Sequence, residues 1–90
     1  MKTTYDPAKR AITLELRGLD MADAGTIFEG PHMTLIDDRA DYGEARLITV
    51  GHLSGRMVVI VWTQRGETRR IISLRKANER EQAHYGPSLG

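Results

Sequence analysis

The sequence predicts an α+β fold with two N-terminal helices, a small antiparallel β meander and a C-terminal helix. Three observations predict it. Two helix-start signals, Asp6-Pro7 and Asp20, are each followed by a stop, Gly18 and then Gly30-Pro31. From Arg46 to Lys76 the chain alternates apolar β-branched runs with turn residues. Asn78 with Glu81 then resembles a capping box, the reciprocal pairing that opens a helix.

Taken in order, Lys2–Tyr5 is a short leader, open to an extended conformation. Asp6 caps the first helix and Pro7 suits its first position, where no N–H partner is needed. Ala8, Ala11, Ile12 and Leu16 recur at helical spacing, so one face is apolar. Asp20 caps the second helix, Leu19 staples it against Ala24, and Ala24, Ile27 and Phe28 line one side. Gly25 weakens its middle by about 1 kcal/mol relative to alanine. His32–Ile36 is a short strand candidate, and Asp37–Glu44 is a polar, turn-forming loop.

The meander follows: about Arg46–Gly51, about Met57–Thr63 and about Thr68–Leu74. The MVVIV run in its middle strand lacks alternation, which implies cover on both faces. In the last strand, period-two parity groups Arg69, Ile71, Ser73 and Arg75 against Arg70, Ile72 and Leu74. Asn78–Tyr85 closes the fold as a helix, and residues 85–90 are expected to fray.

Ninety residues make one domain with a modest core. There is no cysteine, so disulfides and thiolate metal sites are excluded. No run approaches the ~18 apolar residues of a membrane span, and the N-terminus lacks the apolar stretch of a secretory signal. A cytoplasmic protein is expected. Net charge is +1, but its distribution is uneven: residues 1–45 hold five basic and nine acidic side chains, residues 46–90 eight basic and three acidic. Such asymmetry points either to an anionic partner, nucleic acid above all, or to mutual neutralisation of the halves.

No phosphate loop, dinucleotide fingerprint or metal-ligand spacing is present, and no cofactor is expected. The arginines carry the signal. Arg46, Arg65, Arg69, Arg70 and Arg75 stand at strand ends or on strand faces. A guanidinium binds phosphate with a planar fork and keeps its charge. The alternative for each is an ion pair with Asp37, Asp38, Asp41 or Glu44. Trp62 is placed in the core beside Ile60 and Val61, whereas Tyr42 and Tyr85 lie among polar residues and suit stacking on a base.

With these segments placed, the chain resembles the BrnT family of toxins from bacterial type II toxin–antitoxin systems. The resemblance rests on YDPAK at Tyr5–Lys9, DDRADYGEAR at Asp37–Arg46, WTQRG at Trp62–Gly66 and RRIISLRKANEREQAHY at Arg69–Tyr85. It implies a RelE-like fold, a metal-independent endoribonuclease that stops translation, and a BrnA-like antitoxin that blocks the toxin and binds operator DNA. One departure stands out. Relatives often carry Asn-x-x-Lys-His-Gly after the first helix; here Thr13, Leu16, Arg17 and Gly18 occupy those places. Arg17 thus replaces a histidine, and a guanidinium binds phosphate better than it moves a proton.

The expected chemistry is attack of an RNA 2′-hydroxyl on the adjacent phosphate. Arg46, Arg70 and Arg75 are assigned the stabilising charge, and Ser73 the orientation of a phosphate oxygen. Glu44, Tyr85 or His52 is assigned the proton transfer. Arg17, Arg65, Arg69, Lys76 and Tyr42 are assigned RNA contacts. The alternative is a catalytically weak or inactive protein that uses the same basic sheet to bind an antitoxin or nucleic acid.

Overall fold

A computed structural model describes residues 1–39 and 41–89. Ala40 and Gly90, within the expected loop and tail, lie outside the described residues. The chain opens on a strand, β1 (Lys2–Tyr5), followed by helix α1 (Pro7–Arg17), a 3₁₀ turn (Met21–Asp23) and one helical turn, α2 (Ala24–Ile27). Four strands follow, β2 (Met33–Asp37), β3 (Arg46–Leu53), β4 (Arg56–Arg65) and β5 (Thr68–Lys76), and then helix α3 (Glu79–Leu89). The sheet order is β1-β5-β4-β3-β2, with β1 parallel to β5 and the other pairs antiparallel.

This corrects the expected architecture of two N-terminal helices on a small antiparallel meander, and with it the RelE-like assignment. The leader Lys2–Tyr5 is a strand, so the sheet has five strands and is mixed. Tyr5 lies opposite Ile71 and packs against the main core, which repays the ordering of this short strand. Only one full helix precedes the meander. Asp20 does cap, accepting from the Ala22 N–H, but what it starts is a 3₁₀ turn and a single α turn. Gly25 and the Gly30-Pro31 stop leave no room for more.

Helix α1 begins and ends where its sequence says. Asp6 Oδ1 accepts from the Ala8 N–H, and Gly18 takes the left-handed conformation at φ 68°. The apolar face of the helix is not its buried one. Thr13 is the buried residue of α1, while Ile12 and Leu16 face solvent, Leu16 with 76% exposure. The helix lies along the β5 side of the sheet, held by polar tethers. Arg10 makes a two-pronged pair with Asp20, and Arg17 Nη1 donates to the Leu74 carbonyl at 2.8 Å.

The main core lies on one face of the sheet. Leu19, Met21, Ala24 and Ile27 pack on Leu53, Val58, Ile60, Trp62, Ile71 and Leu74. We call this the core face. Gly51 is where α2 approaches most closely: an added Cβ would meet Ile27 Cγ2 at 2.6 Å. Trp62 is buried as expected, and its indole N–H donates to Thr49 Oγ1. A smaller cluster on the opposite face joins Val50 and Val59 to Ala77, Tyr85 and Leu89. Leu89 explains why the tail does not fray at 85. Its burial draws α3 on past Gly86 and Pro87.

A β-bulge fixes which side chains share a face. Val61 pairs with Ser73, but the next residue, Trp62, pairs with Ile71, so Ile72 is the extra residue. Beyond it the parity of β5 reverses. Ile71 and Leu74 therefore both enter the core, and Arg70, opposite Thr63, joins Ser73 and Arg75, opposite Val61 and Val59. The expected grouping of Arg70 with Leu74, and of Arg69 with Ser73 and Arg75, is corrected by this one residue.

Candidate nucleic-acid interface

The face opposite the main core gathers arginines. Arg46 of β3 and Arg70 of β5 stand on either side of β4, about 10 Å apart by strand spacing. Ser73 and Arg75 continue along β5 on the same face. Arg65, of the same parity as Thr63 on β4, stands at its upper end and meets Glu44 at 3.3 Å. The bulge brings Arg70 into register with Ser73 and Arg75.

The four most central cations are held in different ways. Arg39, which the sequence reading passed over, forks onto the buried Asp37 carboxylate at 2.7 and 2.9 Å. This pairing holds the Asp37 carboxyl below the usual carboxylate range, and Arg46 adds to the effect. Arg75 forks onto Glu81 of α3, with both contacts at 2.8 Å. Glu81 also accepts from the Asn78 N–H, while Asn78 Oδ1 accepts from the Glu81 N–H, which completes the expected capping box. The Arg75 hydrogen bonds lead in drawing the Glu81 carboxyl down to about 2. Arg46 and Arg70 have no carboxylate within salt-bridge distance among the described residues. Arg46 lies over the Tyr42 ring, 3.9 Å from its centroid, and its buried Nε has no hydrogen-bond partner.

Of the residues assigned from the sequence, Arg46, Arg70, Ser73 and Arg75 thus share this face, with Tyr42, Arg65 and Glu44 around its upper end. Tyr85 packs in the smaller cluster, one helical turn beyond Glu81. Arg17 is committed to the β5 backbone, past the point where β1 ceases to pair. Arg69 is on the core face, stacked 3.8 Å from the Phe28 centroid and 5.6 Å from that of Trp62. Lys76 lies opposite Val58 and so shares the core-face parity. His52 lies opposite Met57, at the far end of β3 from Arg46.

Arg39 was missed because its DDRADYGE surroundings read as a polar loop. Its signal was there: Asp37 two residues earlier is the acid it grips. Physically, the arrangement is an open, cationic sheet face with a hydroxyl and an aromatic ring beside it. A hollow of about 470 Å³ lined by Leu14, Leu19, Asp20, Asp23, Leu53 and Arg56 includes none of these groups. An open cationic face suits an extended anionic polymer better than an engulfed small molecule. No helix among the described residues is long and apolar enough to cross a membrane.

No curated protein matches the chain. A family model described as ribonuclease toxin, BrnT, of type II toxin-antitoxin system matches residues 5–81. That span runs from β1 to the Glu81 that grips Arg75, and it covers most of the 90 residues. The chain therefore belongs to the BrnT family of ribonuclease toxins, whose type II systems pair each toxin with an antitoxin.

Proposed function

We propose that the chain is a metal-independent endoribonuclease that cuts RNA on the arginine face and thereby inhibits translation in the cytoplasm. The observation that carries this reading is the gathering of Arg46, Arg70, Ser73 and Arg75 on one open face, two of the arginines free of any acid within bridging distance among the described residues. In the reaction, a ribose 2′-oxygen forms a bond to the adjacent phosphorus while the bond to the 5′-oxygen breaks. The 2′-hydroxyl gives up a proton and the leaving 5′-oxygen takes one.

Charge builds on the non-bridging oxygens as five ligands crowd the phosphorus. Arg46 and Arg70 are the groups aimed at that charge, and Arg75, fixed by Glu81, holds a neighbouring phosphate. Removing one fixed donor of this kind typically slows a reaction about 10²–10³-fold. Ser73 orients a phosphate oxygen between Arg70 and Arg75. Glu44 takes the 2′-proton, because it is the carboxylate that meets Arg65 at the upper end of the face, two residues before Arg46. Tyr42, already stacked on Arg46, offers its ring to a base.

The partner is the antitoxin of the pair, BrnA-like by family resemblance, which also carries the complex to operator DNA. The test is an RNA oligonucleotide cut by the purified protein in excess EDTA, beside the same oligonucleotide with one 2′-deoxynucleotide at the cut position. Cleavage of the first and none at the substituted position is expected. Cleavage at the 2′-deoxy position, or complete loss in EDTA, overturns the mechanism.

A second reading, a binding module with little catalysis, is favoured by the Arg75–Glu81 pair, which occupies one of the three assigned arginines. It predicts RNA binding without cleavage by the same protein.

A further inference from the structure

β2 is an outer strand of the sheet, and no element among the described residues pairs with its free side. Natural edge strands are blunted by short length, charged side chains, proline or a bulge. β2 (MTLID) has no lysine, proline or bulge, and its one charged side chain, Asp37, is buried and taken by Arg39. Its two exposed apolar residues point to opposite faces. Ile36, opposite Leu47, lies on the core-face side with 74% exposure, and Leu35, opposite Ile48, lies on the arginine-face side with 40% exposure. An open ladder with apolar side chains above and below it is a template for one more strand.

The charge around it selects the strand. Beyond Leu35 the arginine face presents Arg39, 67% exposed, then Arg46 and Arg70 with no acid in bridging distance among the described residues. The buried Asp37 is already taken by Arg39, and the acids left over, Asp38 and Asp41, lie in the loop beyond the strand. A strand added to β2 with carboxylates on that side runs about 10 Å from Arg46 and faces Arg39 and Arg46, while Arg70, two strands farther across the sheet, stays beyond its reach. A second copy of the chain, paired β2 to β2 about Leu35, sets apolar against apolar but leaves those arginines unmatched.

We infer that the free edge of β2 is a docking site for an acidic, extended segment of the antitoxin, which adds a strand to the sheet and closes the Arg39 and Arg46 side of the arginine face to RNA. This rests on the reading of that face as the RNA site.

The probe is an acetylated, amidated decapeptide alternating valine and glutamate, beside its lysine counterpart and a version N-methylated at every second residue. The readouts are amide hydrogen exchange, light scattering for mass, and RNA cleavage. The glutamate peptide is expected to slow exchange in β2 about tenfold or more, to leave β1 at the other edge unchanged, and to inhibit cleavage. The N-methylated and lysine peptides are expected to do neither. The variant Leu35→Thr/Ile36→Thr is expected to fold and cleave normally while binding the glutamate peptide about tenfold more weakly. No protection of β2, equal protection by the lysine peptide, or a shift to a dimer without peptide overturns the docking site. Protection of β2 in a protein that never cleaves RNA upholds the docking site and overturns the reading of the face.

Discussion

Arg69 and Arg70 are adjacent in the chain and opposite in circumstance. Arg69 lies on the core face, over the Phe28 ring and near Trp62, with its Nε buried and unpartnered among the described residues. Arg70 lies on the far face, opposite Thr63, with no acid in bridging distance among the described residues. One guanidinium is a lid on an apolar core; the other is a charge held ready on an open surface. The difference teaches that a run of basic residues on a strand is not one site. The pleat divides it, and Arg69, on the side that packs against the core aromatics Phe28 and Trp62, is spent on stability.

The division predicts unequal costs, the largest on the core face. Leu74→Ala removes a fully buried side chain, and about 2–5 kcal/mol of stability should go with it, read as a urea midpoint. Val61→Ala, on the partly exposed opposite side of β4, should cost clearly less by the same measurement. If the two costs are equal, the faces are not distinct in the way described.

Gly51→Ala pushes a methyl group into Ile27 and should cost about 1–3 kcal/mol, seen as a lower melting temperature. Arg69→Ala should cost about 1–2 kcal/mol through the lost stacking on Phe28, and Arg70→Ala close to nothing.

Acid sharpens the comparison, because the two faces hold ion pairs of similar design. Arg10 leads in drawing the Asp20 carboxyl down to about 2 on the α1 side, as Arg75 does for Glu81 on the arginine face. Both carboxyls have folded-state values below their ordinary ones. Their stabilisation is therefore complete above the ordinary carboxylate range and is lost as pH falls through about 2. Stability should be level near neutrality and decline from about pH 4.5 downward, with Glu81→Gln flattening part of that decline. The smallest effect is on salt dependence. Arg70→Ala should reduce the slope of log binding constant against log salt for single-stranded RNA by about 0.7, and Arg17→Ala should leave it unchanged.

How much of this was legible can be judged residue by residue. Asp6, Pro7 and Gly18 marked the ends of α1 because capping is local chemistry. Asn78 and Glu81 marked the start of α3 for the same reason. The apolar periodicity of α1 was read correctly as a face, but periodicity says nothing about what covers that face, and Ile12 and Leu16 point to solvent. β1 was legible as an extended leader but not as a sheet strand, because its four residues pair in parallel with a strand more than sixty positions away. The bulge at Ile72 was hidden too, since no glycine announces it, and it alone moves Arg70 to the side of Ser73 and Arg75. The set Arg46, Arg70, Ser73 and Arg75 was thus named from residue type, while the parity of β5 that puts Arg70 beside Ser73 and Arg75 was not.

The most direct test of the central claim is single-turnover cleavage of one RNA oligonucleotide by Arg70→Ala and Arg69→Ala, at a temperature where both are folded by circular dichroism. The account predicts a loss of about 10²–10³-fold for Arg70→Ala, partly restored by Arg70→Lys, and a rate within about threefold of the parent for Arg69→Ala. Equal losses in the two alanine variants, or a loss confined to Arg69→Ala, would contradict it.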